Sequence, residues 1–212
     1  MNVKYLLCVF LLSCFAINAQ SVVESPDGKL KVSLVIESGQ PMYSVSFNEN
    51  TMLENSPLGL ITNEGDFSKS MSFISSVTGK VNKTYTQEKI KQSEITYEAN
   101  TLTYTIEKAD KKQLSILFQV SNNDIAFRYE IPKWGETYAC VVQKEATGFK
   151  FPKITKSFLS YMMSPMGGFA RTAPSYESGY VADSEMETNT AKEGYVFPGL
   201  FRVGDRGWAL VS

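Results

Sequence analysis

An all-β, antiparallel sandwich is the fold class this sequence predicts. Apolar and polar residues alternate over short runs, and polar turn clusters separate those runs. Only Lys89–Glu94, a short stretch, argues for a helical turn.

Taken in chain order, Ser25-Pro26-Asp27-Gly28 is a turn by composition, with proline and glycine placed to pre-set the bend. Lys29–Ile36 then alternates, with Leu30, Val32, Leu34 and Ile36 on one side. Pro41–Phe47 repeats the pattern with Tyr43, Val45 and Phe47, and Gly39-Gln40 between the two runs predicts a hairpin. Ser56-Pro57-Leu58-Gly59-Leu60-Ile61 reads as one short strand entered through proline. Three further runs follow: Thr101–Ile106, Gln113–Val120 and Ile125–Ile131. The connectors Ala109-Asp110-Lys111-Lys112 and Ser121-Asn122-Asn123-Asp124 are polar turns, so the three runs form a meander.

Residues 1–19 stand apart. Lys4 gives a short basic start, Tyr5 to Ile17 is apolar, and Asn18-Ala19-Gln20 offers a small-residue exit. This is the layout of a secretory signal peptide, too short to span a bilayer as a stable helix. Cleavage after Ala19 would leave residues 20–212, and an exported, periplasmic protein is expected. Leu11-Leu12-Ser13-Cys14 weakly resembles a lipoprotein cleavage box. Leu12 stands where a small residue is usual, so lipid anchoring ranks second.

The rest, roughly 190 residues, suits one large all-β domain. Cys8 and Cys14 fall in the leader, which leaves Cys140 alone and excludes an internal disulfide; Cys140 reads as a buried apolar filler. With 21 basic and 22 acidic residues, nothing points to nucleic acid or an acidic lipid surface. Histidine is absent, which excludes Ser–His and Cys–His nucleophile pairs and any imidazole metal site within this chain.

After Phe158 the clean alternation stops. Arg171 to Lys192 is a long polar stretch carrying Tyr176, Glu177, Tyr180, Asp183, Glu185 and Glu187. It reads as an ordered loop that packs against something outside this chain, since its tyrosines give it something to bury. Two strands follow around Gly204-Asp205-Arg206-Gly207. The second finishes on Trp208-Ala209-Leu210-Val211-Ser212 with no turn, polar tail or cap, which predicts the front part of a longer protein.

Ser25-Pro26-Asp27-Gly28, Ser56-Pro57-Leu58-Gly59, Ile125-Ala126-Phe127-Arg128-Tyr129, Pro174-Ser175-Tyr176-Glu177 and Gly194-Tyr195-Val196-Phe197-Pro198 occur in this order, followed by Trp208-Ala209-Leu210-Val211-Ser212. Together they resemble the N-terminal domain of glycoside hydrolase family 97, over essentially the whole of residues 20–212. The family contains exported α-glucosidases and α-galactosidases. The resemblance implies an antiparallel β-super-sandwich followed, in the parent protein, by a catalytic (β/α)-barrel that carries the catalytic carboxylates and most calcium ligands. No catalytic residue is therefore expected in this chain.

The resemblance also implies that Glu177 reaches the active site as a ligand of Ca2+ shared with the catalytic domain. A hard cation takes several oxygens, so a carboxylate from a neighbouring domain can complete its shell. Arg171 and Tyr176 are candidates for contact with an oligosaccharide substrate, Arg171 through its guanidinium fork and Tyr176 by stacking. Tyr180 is a further stacking candidate, and Glu185, Glu187 and Glu193 are alternative ligands. Trp134 and Trp208 are candidate sugar platforms; the simpler readings are the cover of an edge for Trp134 and core or domain interface for Trp208. The competing readings are a stand-alone carbohydrate-binding sandwich and a structural β-domain of a secreted assembly.

Overall fold

The computed structural model describes residues 20–89, 91, 93–136, 139–162, 177–186 and 194–212. The signal-peptide reading of residues 1–19 lies outside them. Every described element is a strand and every pairing is antiparallel.

The first sheet runs in the order β1 (Ser21–Glu24), β2 (Leu30–Glu37), β3 (Gln40–Phe47), β4 (Asn50–Pro57). The second contains β7 (Ser72–Thr86), β8 (Glu94–Glu107), β9 (Gln113–Val120) and β10 (Ile125–Glu130), ordered β10-β9-β8-β7. These two sheets share one core. Val32, Leu34, Tyr43 and Val45 come from the first, and Leu102, Tyr104, Ile106, Leu114, Ile116, Phe118 and Val120 from the second. Tyr43 and Phe118 meet with ring centroids 5.8 Å apart. The alternation that predicted these strands is thus the alternation of buried and less buried faces.

The third sheet is small, in the order β11 (Val142–Glu145), β5 (Leu60–Thr62), β6 (Gly65–Asp66). The fourth sheet orders β13 (Glu177–Glu185), β12 (Thr155–Met162), β14 (Gly199–Val203) and β15 (Trp208–Val211). Val203 joins the main core, and Phe201 stacks on Phe151 at 4.1 Å. The β14–β15 turn is tied to β4 by Arg206, which donates to the Thr51 carbonyl at 3.1 Å.

Several expectations are corrected. Ser56–Ile61 is not one strand: Pro57 ends β4, and β5 begins at Leu60. Gly59 turns the chain between them at φ +144°, a position that needs glycine because a Cβ there would lie 2.6 Å from Ser68 Cα. Lys89–Glu94 is no helical turn but part of the β7–β8 hairpin connection, with Lys89 at φ +64° and the Gln87 amide donating to the Ser93 carbonyl at 2.8 Å; residues 90 and 92 lie outside the description. The strand β7 itself was not legible, because its residues are almost all exposed and show no buried period. Arg171–Lys192 is not a continuous loop, since β13 occupies its middle and pairs with β12 through two register irregularities. Cys140 is half-buried, not a core filler.

Candidate functional site

Two tyrosines, Tyr43 buried and Tyr129 half-buried, anchor the segment that leads into the fourth sheet. Tyr129 Oη accepts the Gly59 amide at 2.8 Å and meets the Thr147 hydroxyl at 2.6 Å. Tyr43 donates to the Gly148 carbonyl at 3.1 Å. Burial raises the pKa of both phenols, with the nearby Tyr129 hydroxyl adding to Tyr43's rise, and the Thr147 and Gly59 contacts partly opposing Tyr129's. These bonds hold the chain around residue 148 against the sandwich and bring Phe149 and Phe151 under the fourth sheet.

The two faces of that sheet differ. On the inner face, Phe149, Leu159, Tyr161, Val181, Tyr195 and Phe201 line an aromatic groove of about 360 Å³, with Glu185 also on its wall. The rings of Tyr161 and Tyr195 lie 5.1 Å apart. The register places Lys156, Phe158, Leu200, Arg202, Trp208 and Leu210 on the opposite face. There Trp208 leans on Phe158 at 5.2 Å yet stays 55% exposed, and Leu210 is 64% exposed. Trp208 is therefore not core. Trp134 is accounted for differently: it stacks on Phe67 at 4.6 Å, and its indole N–H donates to the Gln113 carbonyl at 3.0 Å.

Glu177 opens β13 and pairs with Met162. The Met162 amide donates to the Gly194 carbonyl at 3.0 Å on its other flank, and Tyr161 bridges to Tyr195. Glu177, Met162 and Gly194 thus form one backbone row at the end of the sheet. Arg171, Tyr176, Glu187 and Glu193 lie outside the described residues, so only Glu177 of the three principal candidates is placed, and by its backbone alone. Tyr180 is 57% exposed. Asp183 pairs with Arg202 and Glu185 with Lys156, so both carboxylates already have cations. Among the described residues no group of three or more His, Cys, Asp or Glu side chains could hold a metal. Six to eight oxygens around calcium would need donors beyond these. The backbone row that carries Glu177 was invisible in the sequence, since it depends on the Tyr161–Tyr195 bridge and on the β12–β13 pairing.

Residues 23–212 match the family model described as glycosyl-hydrolase 97 N-terminal, and the chain belongs to this family. A crystal structure of a β-arabinopyranosidase is similar with a TM-score of 0.84 at 43% identity, over 90% of this chain and 31% of that one. Structures of a glycoside hydrolase family 97 enzyme from Pseudoalteromonas sp. strain K8, in complex with panose and with acarbose, align with a TM-score of 0.69 at 24% identity. Those alignments cover 87% of this chain and 27% of theirs, and they carry the fold alone. The chain thus spans less than a third of the length of each of these structures. No curated protein matches the sequence.

Proposed function

We propose that this chain is the N-terminal domain of an exported, periplasmic α-glycoside hydrolase, acting on α-glucosides or α-galactosides. It forms part of the oligosaccharide pocket and delivers one calcium ligand, Glu177, to a catalytic barrel of the same parent protein. The match over residues 23–212 carries this reading. The pairing of Glu177 with Met162 at the start of β13 supports its role by fixing its backbone at the end of a strand.

A calcium ion held jointly by Glu177 and barrel oxygens would supply a Lewis-acidic centre beside the glycosidic bond. This chain's own contributions are positional. The row of Glu177, Met162 and Gly194 fixes the carboxylate-bearing residue to a sheet anchored in the core through Val203. Arg171 and Tyr176 contribute substrate contacts from the preceding segment.

The likeness to a β-arabinopyranosidase favours the galactoside arm. A β-L-arabinopyranoside has the ring stereochemistry of an α-D-galactopyranoside without the C6 hydroxymethyl group, so one pocket can take both.

The test is hydrolysis of chromogenic α-glucoside, α-galactoside and β-L-arabinopyranoside by the parent protein, with and without a calcium chelator. Glu177→Ala is expected to raise the calcium concentration needed for half-maximal activity by at least about ten-fold. An unchanged calcium requirement removes Glu177 from the ligand set. Hydrolysis by the 212-residue chain alone would overturn the assignment of catalysis to another domain.

The second reading, a stand-alone carbohydrate-binding sandwich, draws on the exposed Trp208 and Tyr180. It predicts oligosaccharide binding by the isolated chain that Trp208→Ala abolishes. A flat titration dismisses it.

A further inference from the structure

We propose that the free edge of β7 is a homodimer interface, joining two copies of this chain by antiparallel pairing of β7 with its counterpart about a two-fold axis at Val77.

β7 is the longest strand, 15 residues, and it ends its sheet. One edge pairs with β8 from Ser72 to Thr86, and the other meets no strand among the described residues. All its residues except Phe73 and Val81 are exposed. Such an edge presents a row of unpaired amides and carbonyls, a template for another strand.

The chemistry of the edge selects a second copy as the occupant. From Ser72 to Asn82 the only charged residue is Lys80. With the axis at Val77, that residue faces its own copy, Ser75 faces Gly79, Ser76 faces Thr78, and Lys80 faces Ile74. No like charges meet, directly or on the diagonal, and the most exposed large apolar residue of the strand, Val77 at 63%, is covered at the axis. Moving the axis to Gly79 instead sets each Lys80 diagonal to its counterpart. On one side the regular pairing ends naturally at the irregularity between Phe73 and Ser75. The result is an isologous contact that fuses two four-stranded sheets into one of eight, β10-β9-β8-β7 followed by the same strands in reverse. An acidic or basic peptide would find a single charge to pair with, so a strand of the same hydroxyl-rich, weakly apolar character fits best.

Sedimentation velocity on the full chain tests this. The wild type is expected to dimerise reversibly as concentration rises. Val77→Lys and Val77→Glu each bring like charges together at the axis and should weaken the dimer at least about ten-fold. An equimolar mixture of the two variants should restore association, because opposite charges then face each other. Val77 is exposed, so circular dichroism should stay unchanged in both. Val142→Lys, on exposed β11, should leave the dimer intact. A wild-type chain that stays monomeric at every concentration overturns the proposal. So does a dimer indifferent to both Val77 changes, or a mixture of the two variants that fails to reassociate.

Discussion

The sandwich of β1–β4 with β7–β10 and the sheet β13-β12-β14-β15 use the same kinds of residues with opposite results. In the sandwich, Leu114, Ile116, Phe118 and Val120 alternate along β9 and are fully enclosed. In the fourth sheet, Trp208 and Leu210 alternate along β15 in the same way, yet more than half of each faces solvent. The difference lies in what stands opposite. β9 looks across at β2 and β3, whereas the outer face of β14 and β15 has no described layer over it. Alternation therefore reports that a strand has an apolar face, and the opposing layer decides whether that face becomes core. Among the described residues that outer apolar face is flanked by the Arg202–Asp183 pair and carries no covering layer.

The largest expected effect separates the two regions. Phe118→Ala should cost about 3–5 kcal/mol in urea unfolding, through lost burial and a cavity between the sheets. Leu210→Ala should stay within about 0.5 kcal/mol. Similar losses for both would break the comparison, because they would show Leu210 enclosed in solution.

A second pair of changes sharpens the account of the core. Tyr129→Phe leaves the Gly59 amide without its acceptor and should destabilise by about 1–3 kcal/mol. Tyr104 is also buried, and burial pushes its phenol up to about 12, but its Oη has no hydrogen-bond partner among the described residues. Tyr104→Phe should therefore gain about 1 kcal/mol or stay neutral. A clear loss would reveal a bound water at that hydroxyl.

The smallest effect is electrostatic. Hydrogen bonds from Ser25 and the Lys29 amide hold Asp27 below the usual carboxylate range, and those from Gln113 and Lys111 do the same for Glu107. Burial pushes Asp66 up, but the Ser68 contacts and Lys69 outweigh it and its pKa is lowered too. A carboxylate with a lowered folded pKa contributes stability above its unfolded pKa and loses it as pH falls through the folded value. The thermal midpoint should thus decline below about pH 4, where carboxylates begin to protonate. Asp27→Asn should make that decline shallower. An unaltered acid profile in this variant would show that the Ser25–Asp27 turn adds nothing.

How much was legible follows from the same physics. β2, β3, β8, β9 and β10 could be read because one face of each meets the shared core, and a period of two must then be written into the residues. β7 and β13 could not be read, since an edge strand exposed on both faces needs backbone partners but no particular side chains. The family resemblance pointed to Glu177, and its chemistry was plain from the sequence; its row with Met162 and Gly194 was not. The sequence by itself determined an all-β chain with one alternating core and no histidine for catalysis. Tertiary pairing alone decided that Pro57 ends a strand, that a polar stretch supplies β13, and that Trp208 lies outside. The reason is that hydrogen-bond register and opposing layers are long-range facts, and no local period encodes them.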